Sequence, residues 1–282
     1  MMNYILVDTS YLVFYRYFAL VQWWRQAHPE EELGDPGKNK EFCEKFVKQI
    51  VESVDNIKRS LRLHKNTRQN PPVKVVFGRD CPRKNIWRNQ YFHEYKATRE
   101  RDDEFMGGQF FKMVYRDRLL EKTGADLILY EDGLEADDCI AITANWIKQH
   151  HSDFDDPDYK IYIIANDMDY LQLWDERCDI VNLQGKYLVE KKTSYRDGAK
   201  NLFVKIVLGD KSDNIKPVFK RCSLREAELL YHDIPAFEHK IHEEDAYERL
   251  LLNKTIIDFD EIPEALRVKV EARLPYLLNA VA

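Results

Sequence analysis

Cysteine is sparse in this sequence and never paired. Cys43, Cys81, Cys139, Cys178 and Cys222 stand singly, with no C-x-x-C motif, which fits a reducing compartment and argues against a zinc site. Long apolar runs are also missing. The most apolar early stretch, YLVFYRYFALV, is interrupted by Arg16, and nothing approaches the roughly 20 residues needed to span a bilayer, so no membrane segment is expected. The start, MMNYILVD, has no basic region followed by a long apolar region and a small-residue cleavage site, so no secretory signal is expected. There is no G-x-x-x-x-G-K-S/T loop, hence no expectation of ATP use, and no G-x-S-x-G element to carry a serine nucleophile. Internal repeats and low-complexity tracts are absent. With 44% hydrophobic and 12% aromatic residues, the chain reads as globular, with a substantial core.

The net charge of −6 hides an uneven distribution. Arg79, Arg83, Lys84, Arg88, Lys96, Arg99 and Arg101 outnumber Asp80, Glu94 and Glu100 in residues 79–101. Lys211, Lys216, Lys220, Arg221 and Arg225 are opposed only by Asp213 in a second basic segment. Either run, taken alone, is explained by a solvated charged face.

The periodicity alternates between strand and helix. NYILVD, VKVVF, DLILY and YKIYIIA read as four β-strands, CDIVNL as a further strand and KYLVEKK as another short one. Ser10 is expected to cap a helix carrying Tyr11, Phe14, Phe18 and Val21. A second helix is written by Phe46, Ile50, Val54, Ile57 and Leu61, and AKNLFVKIVLG predicts a helix stopped by Gly209. This alternation implies an α/β fold with a mostly parallel sheet covered on both faces. It ends near residue 192, so residues 193–282 are expected to form a helical appendage in the same structural unit.

GLEADDCIAI crowds Glu135, Asp137 and Asp138 into four residues at the start of an apolar segment. Acids in a first helical turn are favoured by the helix dipole, but such crowding costs stability unless a cation compensates. Asp8 and Asp80 follow the first two strands, this trio follows the third, and Asp167 and Asp169 follow the fourth. In a parallel sheet those carboxyl ends share one edge, where ligand crevices form. Asp210 and Asp213 in GDKSDN are expected there too. An oxygen-only set without His or Cys selects two Mg²⁺ or Mn²⁺ ions. Two such ions about 3.5–4 Å apart are the arrangement for phosphodiester hydrolysis.

The blocks VDTSYLVFYRYFA, WRNQYFHEYKATR, LEADDCIA, IIANDMDYLQL and LGDKSDNI resemble, in order and spacing, those of the flap endonuclease and 5′-to-3′ exonuclease family, whose fold is PIN-like. FGRDCPRKNIWRNQYFHEYKATR and NKTIIDFDEIPEAL resemble most the branch containing the RNase H of T-even bacteriophages. The resemblance implies a catalytic domain over residues 1–192, with a helical arch at about 79–108, and a duplex-binding helical region over 193–282. It assigns Asp8, Asp80, Glu135, Asp137 and Asp138 mainly to a first metal and Asp167, Asp169, Asp210 and Asp213 to a second. It brings Lys96 and Arg99 to the scissile phosphate and Arg83, Lys84 and Arg88 to the same gateway. Tyr91 and Tyr95, with Trp87 and Phe92 among the basic residues, are placed to stack on unpaired bases or to pack the arch. Lys216, Lys220, Arg221 and Arg225 would contact duplex phosphates. Most members continue after S-D-N with I-P-G-x-x-G-I-G, a hairpin that holds K⁺; here no glycine occurs from Lys211 to Leu230, so the K⁺ is not carried over.

The implied activity is a metal-dependent, structure-specific 5′ nuclease acting on 5′ flaps, nicks or RNA primers in replication and repair. Its partners would be DNA and, in the family's setting, a clamp, polymerase or single-strand binding protein. The protein is expected to act as a monomer, in the cytoplasm or at the nucleoid, or in the host cell if virus-encoded. Two other readings remain open here: a PIN-type ribonuclease acting on RNA, and a non-catalytic DNA-junction binder.

Overall fold

The computed structural model describes residues 2–63, 72–97, 105–151 and 158–277. Five strands form one parallel sheet in the order β3-β2-β1-β4-β5: β1 (Met2–Asp8), β2 (Val73–Gly78), β3 (Leu127–Leu129), β4 (Tyr159–Ile164) and β5 (Cys178–Val181). The register pairs Asp8 with Gly78 and Val7 with Ile164, so the strands finish nearly level along one edge. Alternation in β1 is strict. Tyr4 and Leu6 enter one core while Ile5 and Val7 enter the other, as expected of a sheet buried on both faces.

One face is covered by α1 (Thr9–Ala27), α2 (Lys40–Val51), α3 (Ser53–Ser60) and α4 (Gly108–Tyr115). The other is covered by α5 (Ala136–His150). Five helices complete the chain: α6 (Gly198–Leu208), α7 (Leu224–His232), α8 (Ile234–Glu243), α9 (Tyr247–Ile257) and α10 (Glu264–Glu271). The core of α6–α9 includes Cys81, Ile86 and Tyr95, while Val270 of α10 joins the core beneath α5. The C-terminal helices therefore share apolar cores with both the sheet and the 81–95 segment. No described helix is long and apolar enough to cross a membrane.

Several local expectations are corrected. The cap of α1 is Asp8 rather than Ser10: its Oδ1 accepts from Tyr11 N–H at 2.9 Å. The helix read through Phe46 and Leu61 is two helices that meet at Glu52. KYLVEKK forms a short 3₁₀ turn, Leu188–Glu190, with one antiparallel bridge from Tyr187 to Val181. Between residues 79 and 97 the chain makes 3₁₀ turns, Arg83–Asn85 and Trp87–Gln90, in place of α-helix. Pro82 precedes the first turn, and no side chain caps either. Residues 98–104 of the expected arch, including Arg99 and Arg101, lie outside the described residues.

Candidate active site

The sheet edge opens into a cavity of about 870 Å³ whose wall includes Asp8, Asp80, Glu135, Asp137, Asp167 and Lys96. Gly78 makes this crowding possible. A Cβ there would stand 2.6 Å from the carbonyl oxygen of Ala136, so only glycine lets the first turn of α5 approach the end of β2.

Asp8 is oriented from two sides, by Tyr11 N–H and by the Tyr170 hydroxyl, which donates to Oδ2 at 3.0 Å. Burial, reinforced by Asp80 and Asp167, pushes its carboxyl up to about 7. Asp80 accepts from Ala136 N–H at 2.8 Å and from the Ser10 hydroxyl, yet burial still raises it. Asp137 is raised well above the carboxylate range by burial and by its neighbours Asp138 and Glu135. Ionising all three together is disfavoured, and an added cation would relieve that cost.

Glu135 and Asp138 behave differently. They form a capping box at the start of α5, with Glu135 N–H donating to Asp138 Oδ2 at 3.0 Å. Asp138 is fully buried, and Oδ2 also accepts from Trp87 Nε1 at 3.1 Å and Arg88 Nη1 at 2.9 Å. Arg88 Nη2 lies 2.8 Å from the other oxygen, and Arg88 Nε donates to the Ile256 carbonyl at 2.7 Å. Glu135 accepts from Arg88 at 3.2 Å, the Tyr95 hydroxyl at 2.9 Å and Lys96 Nζ at 2.6 Å. Burial alone would raise Glu135, but Lys96 and Arg88 outweigh it and hold the carboxyl below its ordinary range.

Two sequence assignments change as a result. Arg88, 2% exposed, is an internal counterion rather than a gateway residue facing DNA. Tyr95 and Trp87 are buried and hydrogen-bonded to the acids, so neither offers a face to a base. Asp138 stands with Glu135 and Asp137 as a group whose carboxyl oxygens lie within 4.8 Å of one another and could hold a metal, and both its oxygens also meet Arg88.

A second acid group, Asp169, Asp210 and Asp213, also lies within 4.8 Å of one another. Here a cation is built in. Lys205 Nζ of α6 is 2.5 Å from Asp169 and also pairs with Asp210. Asp210 is lowered, since Lys205 and Ser212 outweigh its burial, whereas Asp169 is still pushed by burial to about 6. Asp213 is buried and lies 3.7 Å from Lys96 Nζ, while its carbonyl accepts from Lys96 N–H at 3.0 Å. Lys96 itself has the left-handed φ of 56°. The GDKSDN loop thus holds the Lys96 backbone as well as its charge, and Gly209, at φ 67°, permits the tight closure of that loop.

Asp167 is exposed, caps the turn that follows β4 by accepting from Asp169 N–H at 3.0 Å, and lines the cavity together with the first group. Arg83, Lys84 and Tyr91 are exposed on the segment above, and Arg83 donates to the Lys96 carbonyl. Lys216, Lys220, Arg221 and Arg225 are exposed on the far segment. Sequence reasoning missed Tyr170, Ser10 and Lys205. The signal for Lys205 was available in its place five residues before Asp210, across a helix end.

Residues 3–202 match the model of the family described as 5′-3′ exonuclease, N-terminal resolvase-like domain. No curated protein sequence matches. Among solved structures, a bacteriophage T5 protein co-crystallised with metal ions is similar at TM-score 0.65 and 16% identity, covering 98% of this chain and 100% of that one. The T5 5′-exonuclease with bound zinc has TM-score 0.62 and 16% identity, with coverage of 98% and 100%. A bacteriophage T5 flap endonuclease variant in a pseudo-enzyme-product complex with DNA and metal ions has TM-score 0.63 and 17% identity, also with coverage of 98% and 100%. These likenesses carry the fold, and the family match over residues 3–202 carries the membership: the chain belongs to the 5′-3′ exonuclease family.

Proposed function

We propose that the protein is a divalent-metal-dependent 5′ nuclease that hydrolyses phosphodiesters in the 5′ strand of flapped, nicked or RNA-primed duplex DNA. The observation that carries this reading is the set of acids on one cavity wall, with Asp8, Asp80 and Asp137 all driven toward their neutral forms. An all-oxygen donor set under that repulsion fits Mg²⁺ or Mn²⁺. Asp8, Asp80, Asp137 and Asp167 would hold the first ion, and Asp169, Asp210 and Asp213 a second. Such ions, when bound, supply Lewis-acid stabilisation of charge on the phosphate and make water a better nucleophile. The T5 structures with metal ions, one of them also with DNA, support a metal-dependent nuclease reading.

The protein's own groups do the positioning. Lys96, fixed between Glu135 and Asp213 on the cavity wall, would meet the scissile phosphate as a point charge. Tyr170 and Tyr11 N–H hold Asp8 in one orientation, so little reorganisation is needed when charge develops. Arg83 and Lys84 would steer the strand, and Lys216, Lys220, Arg221 and Arg225 would hold the duplex. Arg99 completes the phosphate contacts in this proposal.

The test is product mapping from a 5′-flapped duplex, a nicked duplex, an RNA-primed duplex and single-stranded RNA in Mg²⁺, Mn²⁺ and EDTA. Metal-dependent products from the 5′ strand of the duplex substrates are expected. Cleavage confined to single-stranded RNA, or unaffected by EDTA, would overturn the proposal.

A further inference from the structure

Arg79 follows β2 directly and precedes Asp80, and its placement differs from that of every arginine discussed above. Its backbone N–H donates to the Leu129 carbonyl at 3.0 Å, which pins the residue at the sheet edge. Its guanidinium lies over the Tyr115 ring at 4.5 Å and the Tyr130 ring at 5.5 Å. Tyr115 is fixed in turn, because its hydroxyl lies 3.1 Å from Ser10 Oγ and Ser10 donates to Asp80. The aromatic support of Arg79 is therefore tied to the acid group itself.

What Arg79 lacks is an anion. Its Nε is buried without a hydrogen-bond partner, and among the described residues no carboxylate pairs with it. Arg88, by contrast, satisfies its donors on Asp138, Glu135 and the Ile256 carbonyl. A guanidinium that is oriented by rings, desolvated on one edge and unpaired faces a cost that a phosphate would remove. Arg79 lines the acid cavity, as do Arg116, exposed at the end of α4, Phe14 and Phe111. Phe14 is 40% exposed, with its ring 5.0 Å from that of Phe111. Arginines beside exposed aromatic rings form the combination that takes a phosphate and its unstacked base.

We propose that Arg79, framed by Tyr115 and Tyr130, grips a phosphate of the cleaved strand, and that with Arg116 and the Phe14–Phe111 ledge it forms a subsite for one unpaired nucleotide beside the scissile bond. This rests on the nuclease reading for the identity of the strand. The subsite itself is a nucleic-acid binding site that binding alone can test. It replaces the stacking surface expected of Trp87 and Tyr95, which the fold buries.

The experiment is a methylphosphonate scan of the flap and its junction, measured as binding of a fluorescent substrate to the full-length chain in Ca²⁺. In the unsubstituted protein one neutralised position should lower affinity by about tenfold, the loss of one charge-assisted contact. Arg79→Gln should lower affinity for the all-phosphate substrate by a similar factor and abolish any further loss at that position. It should also reduce the salt slope by about one. Substrates ending in 5′-phosphate or 5′-hydroxyl separate a terminal phosphomonoester from an internal diester, and coupling of Arg79 to either supports the subsite. Arg116→Gln, on an exposed side chain, repeats the scan without disturbing the interior. In cleavage, both variants should raise KM more than they lower kcat. Phe14→Ala should remove the quenching of a 2-aminopurine placed next to the coupled phosphate. Additive losses in the Arg79→Gln scan, or no sensitive position in either protein, would overturn the proposal. An unsubstituted protein that binds with this pattern but cleaves nothing would sink the nuclease reading and leave the subsite standing.

Discussion

Two acid groups stand at the same sheet edge, and they are balanced in opposite ways. Asp169, Asp210 and Asp213 enclose an ammonium of their own, Lys205, and Asp213 also meets Lys96. Asp8, Asp80 and Asp137 receive hydrogen bonds but no direct ion pair among the described residues, and all three are raised. The Asp169 group is a structural unit before any metal arrives, whereas the Asp8 group is complete only with one. The largest effect should follow from breaking the incomplete group. Asp137→Asn removes a carboxylate whose charge would be needed for several kcal/mol of transition-state stabilisation, a loss of about 10⁴-fold in cleavage. Flap binding in Ca²⁺ should change little, and single-turnover rates on a labelled flap will show whether the loss lies in chemistry.

A third arrangement, Arg88 with Asp138 and Glu135, marks the other extreme. Its charges are balanced entirely inside the protein, with Arg88 2% exposed. Arg88→Ala strands a buried carboxylate and should destabilise the fold by about 3–5 kcal/mol, measured by urea denaturation. If the variant retained full stability, the contrast between an internal counterion and a DNA-facing gateway would fail. Lys205 sits between these extremes. Lys205→Met leaves Asp169 and Asp210 facing each other and should cost about 1–3 kcal/mol in metal-free protein. The thermal stabilisation gained on adding Mn²⁺ should then be larger than in the unsubstituted chain, since the second group would have lost its built-in cation. An equal gain in both proteins would show that Lys205 and the metal do not compete.

Where the acids gather was legible from the sequence because it depends on topology. Parallel strands put every carboxyl end at one edge, and Asp8, Asp80, Glu135 and Asp167 each follow a strand closely. Which acid is free and which is paired was not legible, because the partner comes from a distant segment. Arg88 reads as one more cation in a basic run, and only the packing of α9 and α5 around it turns its guanidinium inward. Lys205 was hidden for the same reason, as its helix was read for apolar spacing alone. The split at Glu52 and the loss of a strand at KYLVEKK are smaller errors, where local propensity yielded to the way neighbouring elements pack.

The smallest expected effect is a pH dependence that should distinguish the two acid groups without any substitution in the second. Asp8 is raised from 3.8 to about 7 and Asp169 from 3.8 to about 6. A carboxyl raised on folding favours the protonated native state, so its stabilisation is present below its unfolded pKa and is lost as pH rises through its folded pKa. In metal-free protein, stability should fall between about pH 4 and pH 7. The cavity is open to water, which screens part of the shift. The expected fall is about 1 kcal/mol, or 2–4 °C in Tm for a chain of this size. Glu135, held below its ordinary range, loses its contribution only at more acidic pH and does not cancel the trend. Asp8→Asn should flatten most of the slope, and Mn²⁺ should flatten it further, because a bound cation favours the ionised carboxylates. A slope unchanged in Asp8→Asn would place the strained charge in Asp80, Asp137 or the Lys205 group instead.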